Sequence, residues 1–167
     1  MGFFRKQDVK FLIFFNKWLH NKYLQRFFIV YTEFGGLVFY SMLIFYLLLV
    51  FKSLGVELLV NIFISQFIVH SIKFIINRPR PYVTYEEVII RKQSRDINSF
   101  PSAHTASSLM AALTFNSIFP GFGFILFPAA ILVGLSRIYL GYHYPSDVLG
   151  SMAITYITFQ IIMIVRF

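Results

Sequence analysis

Apolar runs about as long as a bilayer is thick alternate with short polar breaks over most of this chain. They extend from near Phe34 to Phe51, Val56 to Ile76, Ser102 to Phe119, Phe122 to Ile138 and Val148 to Val165. Each approaches the ~20 residues that carry a helix across hydrocarbon, so the pattern predicts about five transmembrane helices. The breaks hold residues that end or begin helices: Lys52-Ser53-Leu54-Gly55, Asn77-Arg78-Pro79-Arg80-Pro81, Pro120-Gly121, and Gly141 with Pro145. Proline removes a backbone donor and glycine tolerates the left-handed conformation in which helices stop. The one long polar segment, Asn77 to Ser99, contains Glu86, Glu87, Arg91, Lys92, Arg95 and Asp96 and is expected as a loop over one membrane face.

The first residues follow a different pattern. From Gly2 to Arg26, Phe3, Phe4, Phe11, Leu12, Phe14, Phe15, Trp18 and Leu19 interleave with Arg5, Lys6, Lys10, Lys17, Lys22 and Arg26. That mixture predicts an amphipathic helix lying in the membrane interface. Lys10 and Lys17 interrupt any apolar leader core, so the segment is expected to be retained. The fold class expected is all-α: a polytopic membrane helical bundle with an N-terminal amphipathic interfacial helix. No linker or repeat divides it, so residues 1–167 are read as a single domain, 1–33 the interfacial segment and 34–167 the transmembrane core.

Composition supports the bilayer. Hydrophobic residues make up 57% and charged residues 13% of 167, too apolar a balance for one soluble core to hide. The absence of cysteine excludes disulfides, thiolate metal sites and a cysteine nucleophile. A net charge of +8 would suit nucleic acid in a soluble protein; here it points to anionic headgroups or a charged substrate, and nucleic acid is not expected.

Against this background the polar residues at span ends carry the chemistry. The second and fourth spans end on the same face, so the Arg80 loop, the Ser102 helix start and the segment from Arg137 to Asp147 converge at one membrane surface. Lys73 and Arg80 are two helical turns apart and can grip one anion, although cations at span ends also serve as interfacial anchors. Pro101 and Pro145 each suit the first turn of a helix. Backbone N–H groups at the Ser102 helix start form an anion site before any side chain is added. Ser102 and His104 can also be plain helix-capping groups. His143 and Asp147 lie one helical turn apart, so the carboxylate can fix the imidazole tautomer and sharpen its other nitrogen as a nucleophile. Asp147 can equally complement the dipole of its own helix.

Taken together these residues resemble the type 2 phosphatidate phosphatase superfamily, which also includes bacterial acid phosphatases and vanadium haloperoxidases. Lys73, six residues, then Arg80-Pro81 match the first part of its signature; Pro101-Ser102-x-His104 match the second; Ser136-Arg137, five residues, His143, three residues, Asp147 match the third. Ala103 departs from the usual glycine at a position used through its backbone N–H. The likeness covers about Gly35 to Val165. It implies that His143 attacks phosphorus to form a phosphohistidine while Asp147 orients it, and that His104 protonates the leaving oxygen and then activates water. It further implies that Lys73, Arg80, Ser102, the Ala103 N–H and Arg137 bind the phosphate, with no metal or other cofactor.

The expected function is therefore a membrane lipid phosphate phosphatase. Its partners would be the bilayer and a phosphorylated lipid such as a polyprenyl diphosphate, phosphatidylglycerol phosphate, phosphatidate or lipid A 1-phosphate. Arg78, Arg91, Lys92 and Arg95 suit an anionic headgroup, or form a solvated charge run. The rival reading is a non-catalytic phosphate or lipid binder or transporter, because cations within the membrane also mark permeation paths. A haloperoxidase is disfavoured because those relatives are soluble and much larger. The charge bias alone favours a cytoplasmic site; the resemblance to bacterial members favours the outer face of the plasma (inner) membrane, and this is the expectation adopted. Nothing in the pattern specifies an oligomeric state.

Overall fold

The computed structural model describes residues 3–19, 21–90 and 98–166. Expectations for Gly2, His20, Arg91, Lys92, Arg95 and Asp96 fall outside these residues. The chain is an all-α membrane bundle built from α1 (Phe3–Ile13), α2 (Lys22–Tyr31), α3 (Leu37–Val50), α4 (Lys52–Ile76), α5 (Pro81–Thr84), α6 (Ala103–Ile118), α7 (Gly123–Tyr139) and α8 (Pro145–Arg166). A π-helical turn, Phe14–Trp18, follows α1, and a 3-10 turn, Thr32–Gly35, joins α2 to α3.

Helix α6 lies at the centre and packs on α4, α7 and α8. Its sequence is suited to that place: Ala106, Ser107, Ser108, Ala111, Ala112 and Thr114 are small and buried, so neighbouring backbones approach closely. The outward faces are apolar. Phe63, Phe67 and Phe74 of α4, Phe124 and Ile125 of α7, and Ile157 and Ile164 of α8 are all exposed, the reverse of a soluble protein and the expected dress for hydrocarbon. Helices α4 and α8 are each long and apolar enough to cross a membrane alone, and the α2–α3 pair qualifies as one span bent by 49°. Helices α6 and α7, of 16 and 17 residues, are shorter than a full span.

Polar pairs pin the far half of the bundle. Asn61 Nδ2 donates to Thr114 Oγ1 at 2.9 Å, and Arg166 pairs with Glu57 and donates to Asn61 Oδ1 at 3.1 Å. Unsatisfied amides in an apolar slab are costly, so these pairs fix the register of α4 against α6 and α8.

Several sequence expectations shift. Lys52 to Gly55 begin α4 rather than separating two spans, because Gly55 lies flat against the backbone of Leu48 where α3 and α4 cross. Asn77 adopts a left-handed cap (φ 46°) that ends α4, so Arg80 does not continue the Lys73 face but is carried back toward it by a turn. Pro145 opens α8 as expected, whereas Pro101 precedes the cap of α6, which is Ser102.

The N-terminal segment is the largest correction. It is not one amphipathic helix but two, broken before Asn21, whose side chain accepts from the N–H groups of Tyr23 and Leu24 to cap α2. It also packs into the bundle. Leu12 and Asn16 are fully buried, and Asn16 donates to the carbonyls of Ile89 and Tyr139 at 2.9 Å each while accepting from the Ile89 N–H at 2.8 Å. One asparagine thus stitches the N-terminal arm to the segment after α5 and to the end of α7.

Candidate active site

The ends of α4, α6 and α7 and the loop before α8 meet at one cavity of about 320 Å³. Its walls bring together Lys73, Arg80, Ala103, His104, Arg137 and His143, which come from three distant parts of the chain. Lys73, Arg80 and Arg137 are almost wholly buried, at 6%, 2% and 6% exposure. Three cations gathered out of water repel one another and lose hydration, and a bound oxyanion would offset both costs.

Both arginines are held in place. Arg80 Nη1 donates to the Tyr142 carbonyl at 3.2 Å, and Arg137 Nη1 donates to Thr32 Oγ1 at 2.9 Å. The centre of the Tyr142 ring lies 4.2 Å from the Arg137 guanidinium carbon and 5.8 Å from that of Arg80, so one aromatic ring serves both. Arg137 Nε is a buried donor with no hydrogen-bond partner among the described residues. Gly141 lies at φ 81°, which reverses the chain after α7 and returns Tyr142 and His143 to the cations.

His143 is buried, with Nδ1 3.5 Å from Asp147 Oδ2. That separation is longer than a well-formed hydrogen bond, and Asp147 Oδ2 already accepts from the Tyr144 N–H at 2.8 Å. With Nδ1 turned to Asp147, the Nε2 edge is the one presented to the cavity. Burial, followed by the positive charge of Arg80, Arg137 and Lys73, pushes the imidazole well below the usual histidine range. Its neutral form, which is the nucleophilic one, therefore persists as pH falls through 6.5 and is lost only at lower pH. Ring-nitrogen NMR shifts assigned through a His143→Gln comparison should stay those of a neutral ring from pH 8 to about 6; an inflection near 6.5 would contradict this.

His104 occupies the first turn of α6, facing Gly35. A Cβ added at Gly35 would lie 2.9 Å from His104 Cβ and 2.6 Å from Val133 Cγ1, so only glycine lets the 3-10 turn seat against this histidine. Gly35→Ala should displace His104 and lower turnover by about 10–100-fold, the penalty for a small misplacement of a reacting group. Steady-state assay of the folded variant tests this, and an unchanged rate would remove His104 from the reaction.

Ser102 is fully buried, but it is not among the residues lining the cavity. Its Oγ accepts from Thr105 Oγ1 at 2.9 Å and from the Thr105 N–H at 3.4 Å as the cap of α6, the plainer of its two sequence readings. Ala103 does line the cavity, and as the first residue of α6 its N–H has no acceptor within the helix. Sequence reasoning missed Gln66, which donates to Ala103 O at 3.0 Å and Ser107 Oγ at 2.8 Å and so fixes the start of α6 against α4. It also missed Thr32 and Tyr142. A polar Gln66 one and two turns before His70 and Lys73 on one apolar span was the available signal. Among the described residues, no group of three or more His, Cys, Asp or Glu is placed to hold a metal ion.

The PAP2 superfamily profile matches residues 54–167, and the chain belongs to this family. The stretch starts later than the Gly35 expected from the motifs. Undecaprenyl-diphosphatase BcrC of Bacillus subtilis is 38% identical over 81 residues, 47% of this chain and 40% of that protein. A lipid A 1-phosphatase of Rhizobium johnstonii is 29% identical over 60% of this chain and 43% of its own length. The aligned stretch spans less than half of either relative. In structure, the chain resembles Aquifex aeolicus LpxE with a TM-score of 0.80 and 28% identity, covering 92% of both chains. The transmembrane PAP2-type phosphatidylglycerolphosphate phosphatase of Bacillus subtilis gives the same TM-score at 20% identity, over 98% of this chain and 86% of that one, a likeness of fold.

Proposed function

We propose that this chain hydrolyses a phosphorylated membrane lipid through a phosphohistidine at His143. The observation that carries the reading is the single cavity uniting Lys73, Arg80 and Arg137 with His104 and His143 at the end of an apolar bundle. The neutral Nε2 of His143 attacks phosphorus in line, and the bond to the leaving oxygen breaks as His104 delivers a proton to it. His104, now neutral, takes a proton from water, whose oxygen attacks the phosphohistidine and releases inorganic phosphate and free His143. The cations and the Ala103 N–H stabilise the equatorial oxygens throughout, and Ser102 supports them from behind the wall as the helix cap.

A lipid is the fitting substrate because the cavity wall continues onto Leu37, Tyr40 and Ile62. Tyr40 is shared with an apolar groove of about 430 Å³ lined by Tyr31, Phe115, Leu126 and Val133, where a hydrocarbon chain can lie while its phosphate reaches the cations. The names of the relatives favour a polyprenyl diphosphate, a lipid A 1-phosphate or phosphatidylglycerol phosphate. We read residues 1–167 as one catalytic domain in the plasma membrane with its site on the outer face. A binder or transporter needs the cations but gains nothing from His104 opposite His143.

The test is inorganic phosphate release from these lipid phosphates in detergent with a chelator present. Release is expected, with a preference for one lipid class over water-soluble esters; tight binding without release would favour the binder. Because the chain lacks cysteine, Tyr23→Cys on the exposed face of α2, labelled with an impermeant thiol reagent in whole cells, reports the site's side of the membrane.

A further inference from the structure

Arg78 stands two residues before the phosphate-binding Arg80, but it does not line the cavity. Its guanidinium instead faces the back of the catalytic pair. Nη1 donates to Asp147 Oδ1 at 2.6 Å and to Ser146 Oγ at 2.8 Å, Nη2 pairs with Asp8 Oδ2 at 2.9 Å, and its carbon lies 3.9 Å above the Tyr144 ring. Asp8 belongs to α1 and its side chain is 8% exposed. It also accepts from the Ser146 N–H at 2.9 Å and contacts the Ser146 hydroxyl, so it caps α8 from another helix.

The two oxygens of Asp147 therefore have separate duties. Oδ1 is taken by Arg78, while Oδ2 accepts from the Tyr144 N–H and faces His143 Nδ1. Without Arg78 the carboxylate loses the donor that fixes Oδ1, so the aim of Oδ2 at the imidazole loosens although the Tyr144 N–H still holds it. Without Asp8 the guanidinium loses the acceptor on its other nitrogen, as well as the carboxylate that balances its charge.

We propose that Arg78, gripped by Asp8, is a positioning residue that sets Asp147 and through it His143, making the N-terminal helix a working part of the active site. Asp8 lies outside the 54–167 stretch that defines the family match, so this role goes beyond family membership. The inference rests on the phosphohistidine reading above. It also gives Arg78 a role distinct from the headgroup-binding or solvated roles its sequence context offered.

The test compares Arg78→Ala, Arg78→Lys, Asp8→Asn and the double variant Asp8→Asn/Arg78→Ala in the full chain. Arg78→Ala should lower kcat by about 10–100-fold, the usual effect of losing a group that orients a reacting one. KM and inhibition by orthovanadate should hold, because the phosphate cavity is untouched. Arg78→Lys should restore part of kcat, and Asp8→Asn, which keeps an oxygen to accept from the Ser146 N–H, should add nothing to Arg78→Ala, because Asp8 reaches Asp147 through Arg78. Unchanged kcat in Arg78→Ala, a matching loss of vanadate affinity, or additive effects of the two substitutions would overturn the proposal. If Arg78→Ala does not accumulate, Arg78→Lys and Asp8→Asn carry the test, and normal kcat in both overturns it. Phosphate release by His143→Ala, run in parallel, would instead bring down the chemistry on which the inference depends.

Discussion

Replacing His143 by alanine is expected to lower phosphate release by at least about 10⁴-fold, the scale of removing a covalent nucleophile. Among the described residues no other imidazole is placed to substitute for it. His104 is held on a different element against Gly35, and His70, the other described histidine, commits Nδ1 to the Gln66 carbonyl at 2.8 Å on the exposed side of α4. Because His143 is 1% exposed, alanine also leaves a cavity among buried cations, and His143→Gln provides a control of closer volume. Both variants should retain vanadate or phosphate binding while losing turnover. Single-turnover assay separates the outcomes: comparable rates in His143→Ala and the parent chain would exclude a histidine nucleophile at this position.

The second large effect is expected at Arg137. Arg137→Lys keeps the charge but loses the planar fork, and with it the simultaneous contacts to the Thr32 hydroxyl and the Tyr142 face. A fall in kcat of about 10²–10³-fold is expected, as for removal of one preorganised donor to a developing oxyanion. An oxyanion should also protect the parent chain against heat, because it binds the folded state and relieves repulsion among three buried cations; saturation to 100 times Kd corresponds to about 2.7 kcal/mol. The lysine variant should lose most of that protection. Equal protection in both chains, measured by thermal unfolding with and without vanadate, would place the anion away from Arg137.

The bundle and the six cavity residues were legible for one physical reason. In a chain this apolar, a lysine, arginine or histidine at a span end must be satisfied or used, so Lys73, Arg80, His104, Arg137 and His143 stand out, and Ala103 is identified by its place beside them. What stayed hidden depends on contacts between distant segments. Asp8 and Asn16 sit among lysines and phenylalanines, and that local pattern is the one an interfacial helix shows; only the folded arm reveals that both side chains turn inward. Arg78 and Arg80 share one Arg-Pro context, and which of them lines the cavity is decided by the left-handed cap at Asn77 and the turn that follows. Ser102 carried both a capping and a binding reading, and its bonds to Thr105 show the capping one. Gly55 resembled a break because glycine usually weakens helices, whereas here it permits a close crossing.

The site is most directly tested by rapid quenching of a reaction with ³²P-labelled lipid phosphate, followed by peptide mapping under alkaline conditions that preserve phosphoramidates. Radiolabel is expected on the imidazole of His143, absent from His143→Ala and cleared by a chase of unlabelled substrate. Label on any other side chain, or full turnover with none at His143, would contradict the assignment of this histidine as the group that takes the phosphoryl unit from the lipid.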